Sequence, residues 1–488
     1  MKDEPYRSRV SLEPILLSLL VGAAFLIRVW GVSRAHFWDE MVYLQNAQVI
    51  CCGKSNYSEL SYRPPLISLL FAGVFLIWHS VYAASIVTAL VNALGSLFLY
   101  RAAKLAFGRT AAAISALLLA HSPFFVGVFP DGFLSDDTGN SLLTDSPALT
   151  LLVLALWLLL RALAREKTLP FAWAGVVLGL AVLMRFGSLP SVGLLFLLPL
   201  AARSRWKALL VCVAGFLVAM VPYLVWSRVE FGGFFQTFRD GWANVEGPEG
   251  ASFLRIAPVI FTPIALVGLA MAACWGLWRG YRGLRFKTLH GASHAEAQPV
   301  LIEAFLWMWL LVDFAFFGTM AHKEPRYVLP LAPPLLMLAG AGLALFRLLP
   351  RRSLRLGGGV VVVALLMLTF VQSSKRFGGR MIDLNVPEEM SASQFLQDSV
   401  PASTALYMNF NYPVFAYYTG FRIHEMPPAG ADLYKAIKEI PAGGVFIVYR
   451  ESEGGEPDLR WMDSNTRFQR MRDYSGFVVY RCTAHGGG

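Results

Sequence analysis

Long apolar runs recur along the chain, each closed by a short polar or basic segment. A helix needs about 20 apolar residues to cross the hydrocarbon core of a bilayer. Eleven stretches approach that length, roughly residues 14–34, 79–100, 110–126, 142–162, 170–186, 189–203, 207–227, 253–278, 301–320, 327–348 and 357–373. The expected fold class is an α-helical polytopic membrane protein of about 11 transmembrane helices. The first run has no small-residue cleavage site and is too long for the apolar core of a signal peptide, so it is expected to stay as an anchor.

Two regions depart from this pattern. Between the first two runs, "HFWDEMVYLQNAQVI" mixes Met41, Val42, Leu44, Ala47, Val49 and Ile50 with polar residues, as a short amphipathic helix on the membrane surface would. "YRPPLISLLFAGVFLIW" follows it, so juxtamembrane helices are expected in this first outer loop. After about residue 376 the texture changes: helix-like "EEMSASQFLQDSV" precedes strand-like "TALYMNF", then "FRIHEM", "GGVFIVYR" and "GFVVYRC". The alternation predicts a transmembrane domain over 1–375 and a soluble extracytoplasmic α/β domain over 376–488, a lid or acceptor-docking domain without catalytic groups.

Composition agrees with a membrane protein. Of 488 residues 56% are hydrophobic and only 15% charged, more apolar surface than a soluble globule can hide. The formal net charge of +10 would in a soluble chain suggest nucleic acid. Here the cations sit at alternate ends of the runs: with a cytoplasmic N-terminus, Arg7, Arg9, Arg101, Lys104, Arg161, Arg165, Arg203, Lys207, Arg279, Arg347 and Arg352 all fall on the cytoplasmic side. Charge therefore expresses topology, nucleic acid is not an expected partner, and an inner plasma membrane is the expected location. The five cysteines show neither zinc spacing nor a disulfide framework.

The remaining ionisable residues collect on the expected outer side. Asp39 and Glu40 open the first-loop helix, where Asp is a favoured cap and Glu complements the helix dipole. A carboxylate there can equally serve as general base toward a hydroxyl or amine. Arg63, fixed by Pro64 and Pro65, can present a planar fork to phosphate oxygens or simply snorkel at the interface. Asp145 opens a span and Arg185 closes one; helix cap and headgroup anchor are their structural alternatives. His322, Lys323, Glu324 and Arg326 crowd one short turn, and Asp136 and Asp137 lie in another outer loop. His322 alone is no metal site.

"FWDEMVYLQNA", "RPPL", "TDSPALTLLVLAL" and "KEPRYVLPLAPPLLML", in this order over roughly the first 350 residues, resemble the C-type (GT-C) membrane glycosyltransferases. The similarity is to the branch of protein O-mannosyltransferases and lipid A aminoarabinose transferases. The resemblance implies an inverting transferase that moves a sugar from a polyprenyl-phosphate carrier to a protein, lipid or glycan acceptor on the outer face. It implies Asp39 as catalytic base with Glu40 beside it, and Arg63 at the carrier phosphate. Asp145 matches the acid opening the fourth span and is counted with Asp39 and Glu40 as a catalytic candidate, and Arg326 matches the arginine of the E-x-R-Y turn, with Lys323 and Arg185 as further phosphate partners. Tyr62 departs from the family, standing where the aminoarabinose branch often has an acid, so that branch's metal binding is not carried over. No cofactor is expected to be required, a divalent cation stays open, and the loop at 228–252 has no family motif.

Three other readings compete. A transporter or flippase of a lipid-linked sugar would keep ionisable groups along a mid-membrane path, whereas here most lie at outer ends, with Arg28 and Asp313 the main deeper exceptions. A non-catalytic sugar-lipid binding protein would keep the fold without turnover, and an oligosaccharide or phosphate-group transferase would use the same carrier.

Overall fold

A backbone inside an apolar run has no water to satisfy it, so it satisfies itself as helix. The computed structural model describes residues 12–30, 38–53, 57–121, 143–243, 261–286, 294–320, 325–380, 388–426, 434–435, 437, 440–450 and 459–483. In chain order the helices are α1 (Glu13–Trp30), α2 (Trp38–Cys52), α3 (Leu66–Phe75), α4 (Val81–Phe107), α5 (Arg109–His121), α6 (Asp145–Arg165), α7 (Leu169–Met184) and α8 (Leu189–Leu195). There follow α9 (Arg205–Phe231), α10 (Gln236–Ala243), α11 (Pro263–Phe286), α12 (His294–Gly318), α13 (Ala332–Leu343) and α14 (Arg352–Arg380). The C-terminal part adds α15 (Glu388–Ser399), α16 (Tyr412–Thr419) and α17 (Leu459–Ser464).

Among the described residues, six helical stretches are long and apolar enough to cross a membrane: Val81–Phe107, Asp145–Arg165, Arg205–Phe231, Val300–Gly318, Leu329–Leu348 and Arg352–Val371. The runs expected at 110–126, 170–186, 189–203 and 253–278 coincide with shorter apolar helices. The run at 189–203 is also broken, with 3-10 turns at Phe186–Ser188 and Leu198–Ala201 flanking α8. Pro190 and Pro199 lack the N–H that a continuous helix requires.

The chain forms two compact units, one of residues 1–32 with 85–382 and one of residues 33–84 with 383–488. In the first, α7 and α9 pack backbone against backbone. A Cβ on Gly175 would strike the Cys212 carbonyl, and one on Gly215 the Ala172 carbonyl, so only glycine permits this approach. α13 is buried along most of its length against α5 and α11. Asp313 of α12 is fully buried, and its Oδ2 accepts from Trp309 Nε1 at 2.8 Å and from the Ser191 hydroxyl. That network ties α12 to α8 and accounts for one of the two deep charges.

The second unit joins the first-loop helices to a five-stranded sheet of order β2-β1-β3-β5-β4, with β1 (Ala405–Met408), β2 (Arg422–Glu425), β3 (Val445–Tyr449), β4 (Phe468–Asp473) and β5 (Phe477–Cys482). β1 pairs in parallel with β2 and β3; β5 is antiparallel to β3 and β4. Alternation along the strands sends Leu406, Met408, Val445, Ile447 and Val479 to a core with Leu396 and Phe415 on one face. Phe446, Val448, Val478 and Tyr480 join Met462 and Phe468 on the other. With both faces covered, β3 is buried at every position.

Two expectations change. The division expected at 375/376 falls within α14, which runs to Arg380, and residues 33–84 belong to the same compact unit as the sheet. α2 is not amphipathic: every residue from Glu40 to Ala47 is buried, because α3 and α16 both pack on it. Its adjacent Cys51 and Cys52 are bonded to each other, a pairing that links no separate segments.

Candidate functional site

α2 begins at Trp38, which puts Asp39 and Glu40 in its first turn, where the unsatisfied amides favour negative charge. Ahead of α3, Pro64 and Pro65 fix the chain that carries Arg63. The Arg63 Nη2 meets Asp39 Oδ1 at 2.7 Å, and its Nε meets Glu59 Oε2 at 2.8 Å. One guanidinium therefore bridges two carboxylates. Glu59 is buried, accepts from the Tyr57 hydroxyl, and its amide donates to Asn46 Oδ1 of α2 at 2.9 Å. The rings of Tyr43 and Tyr62 lie 5.9 and 5.6 Å from the guanidinium carbon, within reach of cation–π attraction.

The electrostatics follow from this packing. Burial opposes the Arg63 charge, yet Asp39, followed by Tyr43 and Glu59, holds it above the ordinary arginine value. Burial first, then the charge of Glu59, pushes the Tyr57 and Tyr62 phenols up, so both stay protonated and able to donate. Asp39 keeps 17% of its side chain exposed and Arg63 23%, so solvent or substrate can reach the pair.

The C-terminal part supports this cluster. Trp38 packs edge-on against Tyr412 of α16 with centroids 4.1 Å apart, and Tyr57 meets the same ring at 5.6 Å. Gln45 Nε2 donates to the Pro413 carbonyl at 3.2 Å. The start of α2 is thus held by residues nearly 370 positions away in sequence.

The other unit holds a different pair. Asp145, first residue of α6, meets Arg185 Nη1 at 2.5 Å, with 1% and 15% of their side chains exposed. The Arg185 guanidinium carbon lies 5.1 Å from the ring of Tyr327, in the 3-10 turn Pro325–Leu331. Arg326 stands in the same turn, half-buried. Asp145 and Arg185, expected to act separately, thus neutralise each other. Asp136, Asp137, His322, Lys323 and Glu324, with the 244–252 part of the long loop, lie outside the described residues.

Among the described residues no three His, Cys, Asp or Glu side chains converge as a ligand set, and Asp39 and Glu59 already share a guanidinium. Sequence reading missed Glu59, Tyr57, Asn46 and Tyr43. The one available signal was the i,i+4 spacing of Glu59 and Arg63.

Residues 62–226 match the family model described as dolichyl-phosphate-mannose-protein mannosyltransferase, and residues 253–405 that of the Alg9-like mannosyltransferase family. Tyr62, Arg63, Asp145 and Arg185 fall in the first match and Arg326 in the second; Asp39 precedes both. An undecaprenyl phosphate-alpha-4-amino-4-deoxy-L-arabinose arabinosyl transferase of Pseudomonas paraeruginosa is 27% identical over 387 residues, 73% of this chain and 66% of the relative. The same-named protein of Pseudomonas aeruginosa is 25% identical over 385 residues, again 66% of its length. The chain thus spans just under two thirds of these curated relatives.

Among solved structures, ArnT from Cupriavidus metallidurans bound to undecaprenyl phosphate superposes with a TM-score of 0.68 at 16% identity, covering 98% of this chain and 100% of that one. The Archaeoglobus fulgidus oligosaccharyltransferase tethered to an acceptor peptide gives 0.57 at 13%, covering 97% and 74%. With its apolar helices, the chain is an integral multi-pass membrane protein. Family models, relatives and solved folds converge on one superfamily, the GT-C membrane glycosyltransferases, and it is these that the chain resembles in sequence and in fold.

Proposed function

We propose that the protein transfers a hexosyl or pentosyl group from a polyprenyl-phosphate donor to an acceptor on the outer face of the membrane, with inversion at C1. The carrying observation is the reachable Asp39–Arg63 pair, fixed from behind by buried Glu59. Asp39 takes the proton from the acceptor nucleophile as it attacks C1. The C1–O bond to phosphate breaks on the opposite face, and the polyprenyl phosphate leaves with the bonding electrons.

The pairing adds a coupling between these events. As Asp39 gains a proton its hold on Arg63 weakens, and the guanidinium is released to the departing phosphate. Arg326 and Lys323 serve as further phosphate partners in this reading, while Arg185 stays with Asp145. Glu40, buried beside Asp39, lends structural and electrostatic support. The curated relatives' names support a polyprenyl-phosphate-linked sugar as donor class.

The test is transfer by the purified full chain in lipid, with a polyprenyl-phosphate sugar and candidate protein, lipid and glycan acceptors. Asp39→Asn should sharply slow transfer while donor binding persists. Full transfer by a folded Asp39→Asn protein would remove Asp39 from the role of base. Arg63→Ala should weaken donor binding more than acceptor binding; unchanged donor affinity would take it away from the phosphate.

A further inference from the structure

At the Lys- and Arg-rich end of α4 and α6, a cavity of about 360 Å³ opens between the two helices, within the range of small-ligand sites. Arg101 and Lys104 reach it from α4, Arg161 and Arg165 from α6, and Phe98 stacks on Trp157 at 5.9 Å to form an apolar wall. The arginines stand one helical turn apart on α6, and the α4 cations are three residues apart, spacings at which like charges repel. Lys104 is neutralised by Glu13, and Arg161 lies 5.3 Å from the Trp157 ring. Among the described residues no carboxylate lines this cavity or pairs with Arg101, Arg161 or Arg165. Two neighbouring cavities differ: one contains Glu303 beside Arg279, the other Glu166 beside Lys167, Arg203 and Lys207.

Convergent cations, three of them without a carboxylate partner among the described residues, set against an aromatic and aliphatic wall on two apolar spanning helices, describe a receptor for a group that is anionic at one end and oily at the other. We propose that this cavity binds the phosphodiester headgroup of an anionic phospholipid, with its acyl chains laid along Leu97, Phe98 and Leu105. Free phosphate shares the anionic chemistry but has nothing to place on the wall.

The purified full chain in neutral detergent is mixed with diphosphatidylglycerol, phosphatidylcholine or inorganic phosphate, and retained species are counted by native mass spectrometry. Diphosphatidylglycerol should be retained selectively. Its affinity should fall about five-fold for each cation removed, hence about 25-fold in Arg161→Gln/Arg165→Gln. Arg101→Gln alone should give the single five-fold step if the double variant does not fold. Arg203→Gln/Lys207→Gln, in the neighbouring cavity, should leave retention unchanged. Equal retention of phosphatidylcholine, or equal losses in the control pair, would overturn the site. Competition by inorganic phosphate at matching affinity would reassign the cavity to a soluble anion and overturn the lipid.

Discussion

Two arginine–carboxylate pairs, one in each unit, show how burial decides what an ion pair can do. Asp39–Arg63 and Asp145–Arg185 have nearly equal separations, 2.7 and 2.5 Å. Asp145 has 1% of its side chain exposed, and the Tyr327 ring lies beside its partner. Removing either member strands a charge in an apolar bundle. Asp39 is exposed at 17%, and Glu59 holds its arginine on the far side. The Asp145–Arg185 pair has one arrangement and joins α6 to the end of α7. The Asp39–Arg63 pair can trade a partner, because Arg63 keeps Glu59 when Asp39 changes charge. Similar chemistry is thus closed to solvent in one place and open to it in the other.

The sharpest way to break the contrast is to neutralise the two acids. Asp39→Asn should cut the transfer rate by about 10²- to 10⁴-fold, the usual contribution of a general base, with little change in thermal unfolding. Asp145→Asn should do the reverse, lowering stability by about 3–5 kcal/mol because a largely buried guanidinium loses its counter-ion. Asp145→Asn/Arg185→Gln should regain most of that loss. If Asp145→Asn instead unfolded like the parent protein and lost transfer, the buried pair would belong to the chemistry and the distinction would collapse.

A smaller effect tests the support behind the open pair. Glu59→Gln removes the rear carboxylate from Arg63 and the charged acceptor from Tyr57, interactions that contribute about 1.5–3 kcal/mol. Transfer should fall by roughly ten-fold, and donor affinity should change along with it, since Arg63 is then held by Asp39 alone. Donor affinity and transfer both at parental level would show that Glu59 supports the fold without positioning Arg63.

The sequence revealed what depends on local pattern. Asp39 in a first helical turn, the apolar spans and the strands at 405–408, 445–449 and 477–482 were readable from periodicity and from acid placement. What depends on meeting across the chain was not readable. Asp145 and Arg185 lie 40 residues apart and looked like two independent termini until packing joined them. α2 reads as a surface helix because nothing near it in sequence announces the Tyr412 and Pro413 that cover it. Glu59 was overlooked because "NYSEL" has no periodicity, and its meaning lies in Asn46 and Arg63. β4, at Phe468–Asp473, was missed because its burial is confined to Phe468 and, in part, Met471 among exposed charges.

The smallest effect lies in the hydroxyl that Tyr57 donates to Glu59. At neutral pH Tyr57→Phe should cost about 1 kcal/mol, one ordinary hydrogen bond. Its alkaline behaviour says more. Burial, then the negative Glu59, raises the Tyr57 phenol above its ordinary value, so its contribution is fully present below the unfolded tyrosine value near 10. Above about pH 10 the unfolded chain releases this proton while the folded one keeps it, and stability falls as pH rises toward the higher folded value. Thermal unfolding followed from about pH 9 to 11 should therefore fall less steeply in Tyr57→Phe than in the parent, by the share of one proton. Tyr62, raised by the same two causes, continues to contribute in both proteins. Identical slopes would mean that the Tyr57 phenol is not raised in the folded chain, and the hydroxyl donated to Glu59 would then not be the buried contact on which the rear support of the Asp39–Arg63 pair rests.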